Sequence, residues 1–378
     1  MTEKVLQIGD WEFGKNGIAT LIYNFNLNLD TKKVIFDYIV TNEVRESFYK
    51  KTIESKKGKI YELKIDKTGI KRKLILFFKL IKFLKNNKYK IVHINESTAH
   101  SMLYYSFICK ISGVKKIILH SHSSGLDSNK RKVKLIMHNL SKILLPLFAH
   151  EFLACSETAA KWMYKKKYLS KIEIVKNGID VEKFKFNFFK RKELREKMKI
   201  ENIFVLGHVG RISYTKNHRF LIELFNEVKK IIPNSKLLLI GTGPLEKEMK
   251  EITKNLKLEK DILFLGVKNN VEDYLQIMDL FLLPSHFEGL PVVGIEAQSS
   301  GLTCFFSKNI SKEVKVLNSC KFLPLNNSKK WLKEIKKEKD NYSDVKRKYS
   351  FLEVRKNGYD VKDCVEKLTK LYMKLGEE

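Results

Sequence analysis

Two glutamates on either side of a glycine loop are the residues of this sequence best placed to do chemistry. Glu288 and Glu296 lie eight positions apart in the run FLLPSHFEGLPVVGIEAQSSG, whose apolar first segment ends at Pro284. Proline has no N–H for a further ladder bond, so this segment is interpreted as a buried strand that stops there. A helical pattern follows from Val292, and Gly301 is its expected end. The run therefore predicts a strand, a glycine loop and a helix.

The predicted helix start is suited to a phosphate group. The first N–H groups of a helix have no intrahelical acceptor and lie at the positive end of its dipole. Because the loop separates Glu288 from Glu296, each carboxylate could accept hydrogen bonds from a different sugar ring, one on either side of a bound diphosphate. The alternative is an ordinary strand–loop–helix unit in which Glu288 is solvated and Glu296 forms a surface ion pair.

The spacing E-G-x-P-x-x-x-x-E from Glu288 to Glu296 resembles the signature of retaining glycosyltransferases of family 4, which have the GT-B fold. The chain departs from the family after the helix, where Gly301-Leu302-Thr303 replaces the usual Gly-x-Pro. The resemblance implies that Glu288 holds sugar hydroxyls and Glu296 the ribose. It also implies that backbone groups around the helix start hold sugar and phosphate. These groups belong to Gly289, Leu290, Val292 and Val293.

A second motif predicts cations for the diphosphate. A strand-like segment ends in Gly210-Arg211, and Lys216-Asn217 follow before the next helical pattern. The run G-R-x-x-x-x-K-N resembles the diphosphate-binding pair of the same family. Arg211 can bind two oxygens and Lys216 adds a point charge, so both would stabilise the charge that develops as the sugar–phosphate bond breaks. The alternative is a pair of surface cations.

Glycine loops after other strands complete the donor site that the resemblance implies. In the family such loops line the nucleotide base, mostly through backbone groups. The corresponding residues here are Gly210, Gly241, Gly243, Gly266 and Val267. Near the start of the chain the family has two adjacent glycines that approach the donor phosphate. Asn16-Gly17 replaces them here, so Gly17 is the candidate.

Two histidines follow a predicted strand in the first half of the chain. His120 and His122 stand at its carboxyl end, where open α/β sheets place ligands. In the family one histidine at this point contacts the donor sugar or the acceptor, and both residues are candidates for that role. The alternative is two solvent-facing loop histidines. His93 lies inside an apolar strand and is interpreted as structural.

The composition predicts a globular protein of two domains. The chain has 378 residues, of which 43% are hydrophobic and 11% aromatic. Five scattered cysteines without a CxxC predict neither a disulfide framework nor a zinc site, and they favour a cytosolic protein. The N-terminal run MTEKVLQIGDW reads directly as a strand, so we expect no signal peptide. No apolar run approaches the roughly 20 residues that span a bilayer.

The net charge of +30 predicts a polyanionic partner, which could be nucleic acid or an anionic membrane surface. Lysine far exceeds arginine, which favours diffuse attraction over base reading. The segments 71–85 and 129–147 place cations beside apolar residues, so we expect them to contact lipid, with Ile75 and Phe78 entering the interface. A solvated helix face is the alternative. The cations are Lys71, Arg72, Lys79, Lys82, Lys85, Lys130, Arg131, Lys132 and Lys134.

The expected fold is an α/β protein of GT-B architecture, with two Rossmann-like domains facing a cleft. Residues 1–185 would bind the acceptor, residues 186–355 would bind the nucleotide sugar, and a helix in 356–378 would cross back to the first domain. The passage between the domains is marked by the run NGID-x-x-x-F from Asn177 to Phe184, which is typical of the family.

The chain looks most like bacterial exopolysaccharide or capsule transferases. This resemblance implies transfer of a hexose or N-acetylhexosamine from a UDP-linked sugar to a lipid-linked saccharide, with retention, at the inner face of the cell membrane. No DxD motif follows a predicted strand, so neither a metal nor another cofactor is expected.

Three other functions are weighed against this one. A sugar-nucleotide epimerase shares the GT-B fold but has no need of basic amphipathic helices. An NAD-dependent oxidoreductase would carry G-x-G-x-x-G in its first loop, which this chain lacks. A nucleic-acid binder would use the charge, but the basic helices have no interleaved aromatic platform. We therefore expect no nucleic-acid partner.

Overall fold

The computed structural model describes residues 2–9, 13, 17–44, 47–123, 125 and 131–378, with the backbone alone at Arg131. The chain divides into two compact units. The first unit comprises the described residues up to Gly178 together with Val361–Glu378, and the second unit comprises Ile179–Asp360.

In the first unit the described residues form a seven-stranded sheet in the order β3-β2-β1-β4-β5-β6-β7, with every pairing parallel. Helices cover both faces, which explains why β2 and β4 are buried along their whole length. The strands are β1 (Glu3–Ile8), β2 (Val34–Val40), β3 (Ile60–Glu62), β4 (Ile91–Glu96), β5 (Lys116–Ser121), β6 (Glu151–Ala154) and β7 (Glu173–Ile174). The helices are α1 (Gly17–Leu27), α2 (Ser47–Ser55), α3 (Gly69–Asn87), α4 (Ala99–Ile111), α5 (Arg131–Leu144) and α6 (Glu157–Met163).

The second unit, all of which is described, contains a six-stranded parallel sheet in the order β10-β9-β8-β11-β12-β13. The order reverses between β8 and β11, and such a reversal opens a crevice at the carboxyl ends of the strands. The strands are β8 (Phe204–Val209), β9 (Ser235–Ile240), β10 (Ile262–Gly266), β11 (Leu280–Leu283), β12 (Thr303–Ser307) and β13 (Lys321–Leu323). The helices are α7 (Phe188–Lys197), α8 (His218–Ile231), α9 (Glu246–Asn255), α10 (Val271–Ile277), α11 (Val292–Ser299), α12 (Ser328–Asp340) and α13 (Ser350–Val354). The two units confirm the prediction of two Rossmann-like domains.

The last helix, α14 (Val361–Glu377), belongs to the first unit. Its apolar face packs into one core with α1, β1 and β2, and Tyr372 donates or accepts a hydrogen bond of 2.6 Å with His93. The helix therefore crosses back to the first domain, as predicted. The buried residues of this face are Val361, Cys364, Val365, Leu368, Tyr372 and Leu375.

The boundaries between the units differ from the predicted ones. The first division falls after residue 178 instead of 185, because Ile179, Val181 and Phe184 are buried in the core of the second unit. The second falls after residue 360 instead of 355, because Tyr359 is buried in that same core. The turn at Asn177-Gly178 therefore marks the boundary between the two units more accurately than Phe184 does.

Buried charges fix the start of β11, the strand that leads to Glu288. Asp279 accepts hydrogen bonds from Arg191, from Arg195 at 3.2 Å and from the Val205 backbone N–H at 2.7 Å. All three ionised side chains are buried, and two cations and a backbone donor satisfy the one carboxylate. Such a network stabilises a fold only while every member is paired.

Candidate active site

β8 and β11 separate before their carboxyl ends. Their ladder pairs Leu280 with Leu206 and Phe281 with Gly207, and then it stops. At the next position the His208 side chain takes over, because its Nδ1 donates to the Leu282 carbonyl at 2.8 Å. A side chain therefore replaces the backbone bond where the strand order reverses.

The loops after β8 and β11 bring together two residues that the sequence analysis predicted separately. Lys216 Nζ forms an ion pair with Glu288 Oε1, and the two side chains are only 17% and 16% exposed. The Ser285 hydroxyl donates to the same carboxylate oxygen at 3.0 Å. Glu288 is therefore not the solvated loop acid of the alternative interpretation.

Backbone contacts hold these two loops against each other. The His286 N–H donates to the Thr215 carbonyl at 2.8 Å, and the Asn217 amide donates to the Pro284 carbonyl at 3.2 Å. Asn217 has φ of 58°, a left-handed conformation that asparagine tolerates better than most residues. The Lys-Asn pair of the motif thus has two roles, because the lysine reaches the carboxylate and the asparagine makes the turn.

Arg211, the other predicted cation, is exposed and has no ion-pair or hydrogen-bond partner among the described residues. The glycines around it permit a close approach of backbones. A Cβ at Gly241, where φ is 126°, would stand 2.2 Å from the Gly210 carbonyl oxygen, and one at Gly243 would stand 2.2 Å from that of Ile212. These two positions therefore accept only glycine.

The remaining predicted loop residues lie in more open surroundings. Gly266 has φ of 69° and accepts a hydrogen bond from the Gly241 N–H at 2.8 Å, and Val267 beside it is exposed. Gly17 begins α1 in the first unit, and no atom of the described residues would lie within 4 Å of a Cβ at this position, so no contact there identifies a ligand.

Helix α11 begins at Val292, as predicted, and no side chain in the described part of the chain caps its first turn. It ends at Ser299, and Gly301 follows with φ of 71°, which confirms its role as the stop. The N–H groups predicted to hold phosphate thus lie at an uncapped helix start. Gly289, Leu290, Val292 and Val293 are all partly exposed there.

Glu296 forms no ion pair with any residue that the structure describes, so the surface ion pair of the alternative interpretation is wrong. Burial raises the pKa of its carboxyl to about 7, a rise that Lys183 opposes and Glu272 supports. A carboxyl that is half protonated near neutral pH and lacks a cation is available to a neutral donor such as a ribose hydroxyl.

The structure separates the two candidate histidines of the first unit. His120 is fully buried between His93 and His122, and neither of its ring nitrogens has a hydrogen-bond partner among the described residues. His122 is partly exposed and lies 2.9 Å from Asn95 Oδ1 and 3.2 Å from Asn177 Oδ1. Of the two, only His122 is open to a ligand.

Burial keeps this group of histidines neutral. It lowers the pKa of His93 to about 3, that of His122 to about 4 and that of His120 well below its ordinary value. His93 is buried and bonded to Tyr372, so its structural interpretation is confirmed.

The sequence analysis missed two buried histidines beneath the loop of Lys216. The rings of His208 and His218 meet edge to face at 4.7 Å, and three of their four ring nitrogens have no hydrogen-bond partner within the described ranges. Burial lowers the pKa of His208 well below its ordinary value and that of His218 to about 4, and the charge of Lys216 adds to both shifts. The available signal was their position on either side of the G-R-x-x-x-x-K-N motif.

Two helices of the first unit expose apolar side chains beside cations. On α3, Ile70, Leu74 and Phe78 are 79%, 55% and 67% exposed. Of the two residues predicted to enter a lipid interface, Phe78 is exposed, whereas Ile75 is half-buried and packs against the core. No helix among the described residues has the length and apolar character needed to cross a membrane.

Helix α5 is amphipathic in the reverse sense, because it buries His138 and Ser141 and exposes its apolar stripe. Within the segment 129–147 that was predicted to contact lipid, Leu145 is buried, and Asn129 and Lys130 lie outside the described residues. The exposed members of the stripe are Val133, Ile136, Met137, Leu140, Ile143 and Leu144.

Two family models match the chain, "Glycosyltransferase Family 4" over residues 15–183 and "Glycosyl transferases group 1" over residues 190–345. The chain is 29% identical to glycosyltransferase EpsF of Bacillus subtilis, over 79% of this chain and 78% of that protein. It is 28% identical to the capsular polysaccharide biosynthesis glycosyltransferase CapH of Staphylococcus aureus, over 78% and 80%. It is also 30% identical to the UDP-Gal:alpha-D-GlcNAc-diphosphoundecaprenol alpha-1,3-galactosyltransferase of Escherichia coli, over 60% of each chain.

Among solved structures, the chain is similar to the Anabaena protein HepE in complex with UDP. The TM-score is 0.76 at 16% identity, and the match covers 98% of this chain and 99% of that one. A match of this extent at this identity shows a shared fold.

Proposed function

Because the chain belongs to family 4 of the glycosyltransferases and has their GT-B fold, we propose that it moves a hexose or N-acetylhexosamine from a UDP-linked sugar to a lipid-linked saccharide, with retention. The observation that carries this proposal is the Lys216–Glu288 pair at the β8–β11 reversal, together with Arg211, which has no ion-pair partner among the described residues. The UDP bound by HepE and the diphosphoundecaprenol acceptor of the E. coli relative support the choice of donor and acceptor.

The ion pair suggests how the donor enters. In the free protein Lys216 and Glu288 satisfy each other. On binding, the lysine would exchange its carboxylate for the donor diphosphate, and Glu288 would exchange its ammonium for the hydroxyls of the transferred sugar. The site then replaces one set of charge-assisted bonds with another, so that neither charged group is left without hydrogen-bond partners.

The reaction breaks the bond between the anomeric carbon and the diphosphate oxygen. Negative charge grows on the departing diphosphate, where Arg211 and Lys216 would stabilise it together with the N–H groups at the start of α11. The acceptor hydroxyl forms the new bond on the same face of the sugar, and its proton passes to the diphosphate. Glu296 would hold the ribose. The two cations supply the positive charge in this scheme, which therefore assigns no step to a metal ion.

The test is a transfer assay with a panel of nucleotide sugars and a diphosphoundecaprenol-linked acceptor, with and without a chelator, and with the anomeric configuration read by NMR. Glu288→Gln should abolish transfer and Arg211→Ala should lower kcat by about 10². Glu193→Gln, which changes an exposed carboxylate on α7, is the matched control. Normal turnover of Glu288→Gln with a saturating donor would refute the site.

We also propose that the first unit binds the anionic inner face of the cell membrane through α3 and α5. Each lysine near such a surface contributes on the order of 1 kcal/mol, and the exposed apolar stripes add a contribution that survives at high salt. Leu74→Ser with Phe78→Ser should weaken liposome binding at high salt. Phe189→Ser with Val345→Ser, which changes apolar residues of the second unit that are even more exposed, should not. Wild-type protein that ignores anionic vesicles at low salt would refute the proposal.

A further inference from the structure

The carboxylate of Glu288 is held through one of its two oxygens. Lys216 and the Ser285 hydroxyl both bind Oε1. The other oxygen, Oε2, has no hydrogen-bond or ion-pair partner among the residues that the structure describes. Because each carboxylate oxygen can accept about two hydrogen bonds, Oε2 is open to a ligand while Oε1 stays bound to the protein.

Ser285 is itself held in place by a second serine. The strands β11 and β12 pair as far as Leu283 and Phe306, and Pro284 has no N–H for a further ladder bond. Beyond that point the Ser307 hydroxyl donates to the Ser285 carbonyl at 2.5 Å. Both serines are fully buried. A side-chain bond therefore continues the ladder and fixes the backbone from which the Ser285 hydroxyl reaches Glu288.

The loop that follows β12 holds the backbone of Glu288 as well. The Ser311 N–H donates to the Glu288 carbonyl at 3.3 Å, and Ile310 forms an isolated parallel bridge with Glu288. Ile310 is buried in the core of the second unit. Neither contact uses the carboxylate or the Lys216 ammonium, so both remain when that ion pair opens.

Ser285 differs from other buried serines of the second unit in what its hydroxyl binds. Ser299 and Ser300 are as completely buried, and they donate to the Val181 and Phe184 carbonyls at 3.1 and 2.8 Å. Bonds of that kind satisfy a hydroxyl and join two segments of the chain. The Ser285 hydroxyl instead donates to a carboxylate of the candidate site, and a bond to a charged acceptor is the stronger kind.

We infer that Ser285 is a positioning residue for Glu288, whose Oε1 it holds so that Oε2 accepts from a hydroxyl of the transferred sugar. This role rests on the proposed function, in which Glu288 exchanges the Lys216 ammonium for the sugar. Once the ammonium has left, Ser285 is the remaining side-chain donor to the carboxylate among the described residues. It restricts rotation of the carboxylate at the moment when the sugar must be oriented. Ser307 acts one step further away, through the Ser285 backbone.

The test measures transfer by Ser285→Ala and by the wild type, with the nucleotide sugar that the wild type accepts and with analogues that each lack one hydroxyl of the transferred sugar. With the complete sugar the variant should lose about 10- to 100-fold in kcat, the effect of removing one hydrogen bond to a charged group. With the analogue that lacks the hydroxyl bound by Glu288 the loss should be much smaller, because the carboxylate then has no sugar hydroxyl to meet.

Two further variants sharpen the comparison. Ser307→Ala leaves the Ser285 hydroxyl in place but loosens its backbone, so it should show the same dependence on the sugar with a smaller loss. Ser299→Ala removes an equally buried hydroxyl that donates to a carbonyl, and it is the matched control that should keep the wild-type kcat.

Three outcomes would overturn the role of Ser285. They are an unchanged kcat in Ser285→Ala, a loss in that variant that is the same for every analogue, and an equal loss in Ser299→Ala. The second outcome would show that the hydroxyl only maintains the loop. If the wild type transfers sugar and one of these outcomes is found, the positioning role fails alone. If the wild type transfers sugar from no donor, the proposed function fails and the positioning role fails with it.

Discussion

Glu296→Gln should stabilise the protein at neutral and higher pH while it weakens nucleotide binding. Burial raises the pKa of this carboxyl from 4.5 to about 7. The folded protein thus holds the proton more tightly than the unfolded chain does. The free energy of unfolding must therefore fall as pH rises from about 4.5 to about 7, and it stays low above that range.

The size of this effect follows from the same values. The difference between 4.5 and about 7 corresponds to roughly 3 kcal/mol at high pH, because one pKa unit is about 1.4 kcal/mol. Glutamine is nearly the same size and is neutral, so it avoids most of this cost. The variant should match the wild type at about pH 4.5 and be more stable by up to about 3 kcal/mol at about pH 8.

Urea unfolding across this pH range measures the difference between Glu296→Gln and the wild type. Other titrating groups, including the buried histidines, are common to both proteins and cancel. Glu193→Gln is again the control, since its exposed carboxylate predicts a flat difference. A Glu296→Gln difference that does not grow with pH would refute the reasoning.

The affinity of the wild type for a nucleotide sugar should rise with pH, whereas its free energy of unfolding should fall. If the ionised carboxylate accepts from the ribose, a pKa of about 7 makes the affinity rise about tenfold between about pH 6 and about pH 8. Calorimetry should use an intact nucleotide sugar, whose diphosphate does not titrate in this range. The rise should vanish in Glu296→Gln and with a 2′,3′-dideoxyribose donor. A pH-dependent rise that persists in the variant would exclude Glu296 as its source.

Further expectations concern buried polar groups. His208→Leu leaves the Leu282 carbonyl without a donor and should cost about 1–3 kcal/mol in urea unfolding, more than His208→Asn, which keeps a donor near Nδ1. Asp279→Asn removes the carboxylate shared by the buried Arg191 and Arg195, which leaves Arg191 with Asp344 and Arg195 with no ion pair among the described residues, and it should cost about 3–5 kcal/mol in the same assay. The lowered pKa of His120 means that the folded protein binds fewer protons there than the unfolded chain, so stability is lost as pH falls below about 6.5. Thermal melts of His120→Phe should show a smaller acid-induced loss than the wild type, and equal losses would contradict this account.

Local pattern was sufficient to predict the elements around the site. The start of α11 at Val292 and its stop at Gly301 follow from a proline, a helical period and a glycine, all within a short run. The pairing of Lys216 with Glu288 could not be derived in that way. This pairing depends on β8 lying next to β11, and the order of strands in a sheet cannot be predicted from any single segment of the sequence.

The sequence-based predictions were less accurate where an element from elsewhere in the chain decides whether a helix residue is buried. A helical period places Ile75 on the face of α3 that carries the cations. This residue nevertheless contacts the core, because neighbouring elements cover more of the helix surface than its apolar face alone. In α5, by contrast, apolar residues that a helical period would place in the core are exposed. Periodicity identifies an apolar face, but it does not show whether another element packs against it. The family resemblance supplied the roles of the site residues, which no pattern in a single sequence would reveal.

The membership of α14 in the first unit has a consequence for how the protein is made. A ribosome delivers all of the second unit before it delivers the helix that carries Tyr372 and Leu375, and these side chains belong to the core of the first unit. During synthesis the first unit therefore cannot complete its core and keeps part of its apolar surface exposed, while the second unit can already fold. A chaperone that protects the nascent chain should consequently be needed longest by the part that emerged first.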